Sequence, residues 1–305
     1  HRDLHLSIRR QRQMCIRDRA NQGHYRGEGA TRQGIYVISS SGKLLSSINS
    51  LNADKVLETI KDGLEKWYDL PSSERYLSNN LGLKTIHRWG NSYPEQGLVL
   101  TSVNADLFTY PPKNADRSDR WNMDYVWFNQ SEARHWLPDD SQKGDVYELP
   151  EKLANRLICF HLVDNVRGQT LPFSPQEIKK SGWKIEVLER HLSNVRIKIR
   201  GQSKAVSKGA WLLGENDWAP DYLLDHGMDT EILGSASYNL EQKKFTKFEL
   251  VAIGKRYGKT EFNGRKNSPD SSYIGFFFSI NQNKISERIA PAFVDIYNTD
   301  WIVKP

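Results

Sequence analysis

The sequence predicts an α+β chain: a ββα unit near the start, then a mainly antiparallel β sandwich or barrel. Three observations carry this. Residues 34–71 pass in readable order from strand-like to helix-like periodicity. The last third alternates apolar and polar residues at period two, with turns between the runs and no long helical stretch. Hydrophobic residues make up 38% of 305, with 9 Trp, 13 Tyr and 11 Phe, enough for a substantial core, while 26% charge suits a water-facing surface.

Residues 1–19 (HRDLHLSIRRQRQMCIRDR) come first and fit no element. They have no sustained period and no helix cap. They hold six Arg against two Asp, a balance of +4 within a chain total of +6, so residues 20–305 carry only +2. The run IRRQRQMCIRDR resembles translated read-through of sequencing-adapter DNA, and His1 is no initiator methionine, so we expect a foreign tail on a fragment. The alternative is a native basic arm for nucleic acid or an acidic surface. Without that tail the Lys and Arg residues are interspersed with acids, and no nucleic-acid partner is expected.

In 34–71, Ile35, Tyr36, Val37 and Ile38 read as a strand buried on both faces, 39–42 as a turn with Gly42, and Leu44, Leu45 and Ile48 as the second strand of a hairpin. Asn52 is placed to cap a helix, with Asp54 in its first turn. Val56, Leu57, Ile60, Leu64 and Trp67 give that helix an apolar stripe, Gly63 weakens it, and Pro71 ends it. A hairpin and one helix cannot bury this much apolar surface alone, so the unit needs partners.

Strand, turn with Ser-Gly-Lys, strand, then a long helix resembles the C-terminal half of a thioredoxin-like domain, over about 20–75. The resemblance implies a redox fold whose dithiol would lie upstream. That family carries a proline, in cis, before the first of these strands; here the approach is Thr31-Arg32-Gln33-Gly34.

From 80 to 305 a β-rich domain is expected. Residues 71–80 read as a linker or short helix, 97–103 (GLVLTSV) and 121–128 (WNMDYVWF) as strands, and 110–120 as a loop. Ser131 is placed to cap a short helix ending at Pro138, and Leu149-Pro150-Glu151 opens another. Residues 157–163 (LICFHLV) read as the most apolar strand. Ile158, Phe160 and Leu162 fall on one face, and Leu157, Cys159, His161 and Val163 on the other. Residues 183–188 and 195–199 pair as a hairpin, 210–229 form an irregular connection, and 232–240, 245–253 and 273–280 are further strands. WNMDYVWF, FHLVDNVRGQTLPF, GSASYNL with FELVAIGKRYG, and FNGR together resemble a domain of uncharacterised bacterial proteins, sometimes behind a thioredoxin-like segment. The resemblance implies architecture and no chemistry.

Several constellations were weighed for chemistry. Cys159 and His161 would share one strand face about 7 Å apart, too far for a nucleophile–base pair, and read more simply as a buried thiol beside a satisfied imidazole. Asp217, Asp221, Asp225, His226, Asp229 and Glu231 lack EF-hand spacing and a tight His/Cys set, so no metal is expected. Residues 254–267 lack P-loop spacing, and Asn263-Gly264 reads as a type I′ turn. No GxSxG, HExxH or CxxC occurs, so neither cofactor nor catalytic residue is assigned. The candidate ligand site is His161, Asp164, Asn165 and Arg167, at the polar turn after the apolar run, with Arg167 as the anion-clasping group. The simpler reading is that Arg167 pairs with a nearby acid and holds the loop. The sequence thus points to a binding or interaction protein for an unknown small molecule or protein, the alternative being a thiol–disulfide redox protein with its CxxC upstream. No apolar run reaches the roughly 20 residues of a membrane helix, and the compartment is not readable.

Overall fold

A computed structural model describes residues 34–76, 92–107, 120–138, 140–209, 224–260, 263–265, 268–281 and 287–294. The expected tail over 1–19, the approach to the first strand and residues 210–223 of the expected irregular connection lie outside them, while the rest of that connection, 224–229, is not irregular but the start of the strand Leu224–Asn239. The chain divides into two compact units, 1–85 and 86–305.

In the first unit, β1 (Ile35–Ile38) and β2 (Leu44–Ile48) form the expected hairpin, with Gly42 at φ 88° in the turn. Helix α1 (Ala53–Asp69) is capped by Asn52, whose Oδ1 accepts from Lys55 N at 3.0 Å, and it ends where Leu70 turns extended ahead of Pro71. A short α2 (Ser72–Arg75) follows. Two expectations need correction. β1 is not buried on both faces: Ile35 and Ile38 are 37% and 42% exposed, because the hairpin has a helix on one side only. The helix also presents a different face. Val56, Thr59, Gly63 and Trp67 are its less exposed positions, while Leu57, Ile60 and Leu64 stay exposed. Gly63 decides this. A Cβ there would lie 2.6 Å from Ser46 Oγ and 2.7 Å from Val37 Cγ1, so the missing side chain is what lets helix and hairpin close.

The second unit is built on one eight-stranded antiparallel sheet in the order β4-β3-β10-β9-β8-β7-β6-β5. The strands are β3 (Leu98–Leu107), β4 (Trp121–Phe128), β5 (Val146–Glu148), β6 (Ile178–His191), β7 (Asn194–Gly209), β8 (Leu224–Asn239), β9 (Lys244–Gly258) and β10 (Ser271–Ile280). Antiparallel pairing is as expected; the two packed sheets of a sandwich are not present among the described residues. Strands of 14–16 residues, such as β6 to β9, carry the apolar inner face continuously across one sheet, and helices cover it.

Those helices are α3 (Gln130–Arg134) and α4 (Glu151–Phe160). The cap of α3 is Asn129 rather than Ser131, in a reciprocal box: Asn129 Oδ1 accepts from Glu132 N at 2.9 Å, and the Glu132 carboxylate accepts from Asn129 N at 3.0 Å. The larger correction concerns 157–163. Leu157–Phe160 are the last turn of α4, not a strand, and His161 is its C-cap. A run buried on all sides shows no period, so a buried helix and a buried strand read alike. The preceding Leu153 and Ala154, one helical turn before Leu157 and Ile158, carry the helix through.

α4 packs on β6 and β7, where Ile185, Val187, Ile197 and Ile199 are at most 1% exposed. Trp136 meets Phe128 and Phe248 edge-on at 5.7 and 5.1 Å. The inner face changes character along its length. On β3, Leu98 and Leu100 give way at the same period to Ser102, Asn104 and Asp106, all buried. On β4, Phe128 and Val126 give way to Asp124, which pairs in register with Ser102. One end of the interior is therefore polar. Among the described residues no helix is long and apolar enough to cross a membrane.

Candidate functional site

The polar end is assembled from four places: β3, β4, the turn after α4, and β9 with the loop behind it. Its deepest layer is a charge network. Arg265 grips Asp106 with Nη1 and Nη2 at 2.9 and 2.7 Å, and Asp164 with Nη2 and Nε at 2.6 and 2.9 Å. Arg167 donates from Nε to Asp106 Oδ2 at 2.6 Å and from Nη1 to Ser268 Oγ at 3.1 Å. Arg256 Nε lies 3.4 Å from Asp164 Oδ2, and its terminal nitrogens donate to the carbonyls of Gly258, Pro269 and Asp270. Three guanidiniums thus face two carboxylates, and backbone carbonyl dipoles meet the third.

The electrostatics follow burial. Burial pulls the Arg256 pKa below the usual arginine value, with the Asp164 charge opposing. Burial also works against Arg265, but hydrogen bonds and charge from Asp164 and Asp106 outweigh it and hold that pKa above the ordinary value. The loop reaches this depth because Gly264 sits at φ 70°, where an added Cβ would lie 2.9 Å from the Arg167 carbonyl oxygen. Asn263 is 1% exposed, with Nδ2 3.3 Å from Asp164 Oδ2. The residue before Asn263 lies outside the described residues, and the expected type I′ turn at Asn263-Gly264 lies outside them with it.

In front of the network lies a small polar pocket lined by Ser102, Asn104, Asn122, Asp124, His161 and Asn165. Asn104 Nδ2 donates to Asn165 Oδ1 at 2.6 Å. Asn104 Oδ1 is buried and accepts no hydrogen bond among the described residues. His161 Nδ1 stands 3.3 Å from Asp124 Oδ2, and Asp124 Oδ1 accepts from Ala292 N at 2.8 Å. The carboxylate is thus held from one side while facing the imidazole with the other.

The four residues named from the sequence all reach this end of the unit, in two layers. His161 and Asn165 line the pocket; Asp164 and Arg167 belong to the network behind it. Arg167 is not at an open mouth, for its side chain is 6% exposed and engaged by Asp106. Cys159 and His161 do not share a strand face, since helix α4 carries the thiol into the core, where burial pushes its pKa up to about 12. Ser102, Asn104, Asp106, Asn122, Asp124, Arg256 and Arg265 were missed. The signal for the β3 set was present: the inward period through Leu98 and Leu100 simply continues through polar residues. In the acidic cluster read from sequence, Asp225 and Asp229 are exposed and lie 3.8 and 3.6 Å from Lys208 and Lys204. Among the described residues no group of three or more His, Cys, Asp or Glu could hold a metal.

No protein-family profile, curated protein or solved structure matches the chain. Function therefore rests on the geometry.

Proposed function

We propose that residues 92–294 form a binding unit for a small polar ligand bearing hydrogen-bond donors, taken at the cleft of Asn104, Asp124, His161 and Asn165, whose side chains stand too close for even a water-sized group and must part to admit it. The observation that carries this is the inner face of β3 and β4, which turns polar where a purely structural sheet would stay apolar. It supplies a buried acceptor, Asn104 Oδ1, that nothing among the described residues engages. The charge network behind the pocket is the rigid backing that a preorganised site needs. Asp124 and the amide oxygens favour a neutral or cationic ligand, such as a polyol or an amine, over the anion expected for Arg167.

The alternative, a thiol–disulfide redox protein with its dithiol upstream, fits the ββα order of residues 34–75 and their resemblance to half of a thioredoxin-like domain. Cys159 adds nothing to it, because a buried thiol with a raised pKa is no nucleophile.

Thermal unfolding of the chain against a panel of sugars, amino acids, polyamines and nucleosides tests the binding reading. A true ligand at 100 times its Kd stabilises by about 2.7 kcal/mol. We expect that stabilisation to disappear in Asn104→Ala and Asp124→Asn. If no compound stabilises the chain, or if one does so equally in both variants, the pocket is structural.

A further inference from the structure

The outer face of the sheet, opposite the helices, is apolar across five strands. In register run Leu233, Val251, Phe277, Val103 and Met123, on β8, β9, β10, β3 and β4 in turn. The next outward row holds Ile253, Gly275, Ala105 and Trp121, and the third brings Tyr273 against Leu107. Eight of the nine large side chains of these rows are 43–62% exposed, and Val103 is half-buried. Among the described residues the same face is covered at one end, where Val99, Tyr125 and Trp127 pack against Val294, Ala290 and Tyr93. We propose that the uncovered part is an interface between two copies of this chain, each sheet supplying the second layer of a sandwich.

Two arguments favour a second copy over another occupant. The first is area. Phe277, Trp121 and Tyr273, at roughly 150–250 Å² each, and five somewhat smaller aliphatic side chains, all about half exposed, offer on the order of 800 Å², which is about what one partner contributes to a standard stable interface. That exceeds the roughly 300–600 Å² of the largest apolar patch on an ordinary monomer.

The second argument is self-complementarity, which a two-fold interface demands. Consider a two-fold axis running across the strands along the line of Ala252 and Phe276. It exchanges the Val251 row with the Ile253 row, apolar onto apolar on β9, β10, β3 and β4, while on β8, at the rim of the patch, the exposed Glu231 comes over Leu233. On β9 it also brings Glu249 of one copy over Lys255 of the other, twice, since both point outward three residues either side of Ala252. Glu249 is half-buried and pairs within its own chain with Lys247 at 3.0 Å; Lys255 is exposed. The apolar rows supply the driving force, and the reciprocal charges set the register.

Sedimentation equilibrium of the full chain from 1 to 100 μM tests this. We expect twice 35.2 kDa, and a monomer with unchanged circular dichroism for Phe277→Glu. Glu249→Lys and Lys255→Glu should each weaken association tenfold or more, and the double charge swap should restore it. The proposal falls if the chain is monomeric at 100 μM, if Phe277→Glu stays dimeric, or if the double swap fails to rescue. A monomer that instead floats with phosphatidylcholine vesicles, and loses that in Phe277→Glu, would assign the face to a membrane surface and overturn it equally.

Discussion

Arg265 and Asp106 stand 159 residues apart in sequence and meet in a two-pronged ion pair, with each side chain 1% exposed. Asp106 also receives Arg167, so one carboxylate is shared by two buried guanidiniums, with Asp164 supplying a second negative charge to Arg265. Removing one partner of a buried pair costs about 3–5 kcal/mol, because the other is left charged and unpaired. We expect Asp106→Ala to lower the stability of the second unit by that amount in urea, with the slope against denaturant unchanged. A loss under about 1 kcal/mol, the range of exposed pairs, would mean that water or neighbouring carbonyls replace the carboxylate.

A second buried pair tests a different part of the core. Arg156 on α4 donates to Glu132 on α3 at 2.8 and 2.5 Å and to the Trp127 carbonyl at 2.6 Å, with its guanidinium 5.1 Å from the Phe128 ring centroid. Glu132→Ala alone should cost about 3–5 kcal/mol, whereas Glu132→Leu with Arg156→Met together should cost much less, since no charge is then stranded. Equal losses in single and double variants would show that the bond from Asn129 N to the Glu132 carboxylate, which both variants remove, rather than the charge pair, is the stabilising contact.

Gly63 reverses an ordinary rule. Gly→Ala inside an exposed helix gains about 1 kcal/mol. Here the new methyl would meet Ser46 Oγ and Val37 Cγ1 at under 3 Å. Gly63→Ala should therefore destabilise the first unit, by about 1–3 kcal/mol as for other overpacked sites, read from Trp67 fluorescence in denaturant. A stabilised variant would show that helix and hairpin do not pack closely in solution.

Cys159 carries a pH dependence whose sign follows from burial. Its folded pKa is pushed up to about 12, above the ordinary value near 8.5 for a free thiol. Above about pH 8.5 the unfolded chain therefore binds fewer protons than the folded one, and stability falls as pH rises towards 12. Below that window the contribution is fully present. Burial raises the Tyr147 pKa too, with the same sign. We expect the loss of stability between pH 9 and 11 to be shallower in Cys159→Ala. In a Cys15→Ser chain, Cys159 should ignore a thiol reagent at pH 8 until denaturant is added; rapid native labelling would contradict its burial.

Much of the local structure was legible, for reasons that are themselves local. Asn52 before an apolar stripe, Gly42 in a turn and Pro71 as a stop each act within a few residues, and the structure keeps all three. Period two identified β6 and β7 because each buries one face only. The candidate site was half legible. His161, Asp164, Asn165 and Arg167 do gather at one end of the unit; of the residues they meet, Asn104 and Asp106 continue the inward period of β3, but their pairing with Asn165 and Arg167 has no local signal, since such a contact leaves no trace in sequence spacing.

By itself, then, the sequence determined the Gly42 turn, the Asn52 cap and the inward side of β6 and β7, because steric preference and period operate between neighbours. Tertiary structure alone decided whether 157–163 is strand or helix, because a segment buried on every side has no polar face to show its period. It alone decided that Arg167 holds Asp106 rather than facing solvent. And it alone set β3 against both β4 and β10, which brings Asp106 within reach of the loop after β9. Pairings across more than a hundred residues are chosen by which surfaces bury together, a property of the whole chain that no stretch of it contains.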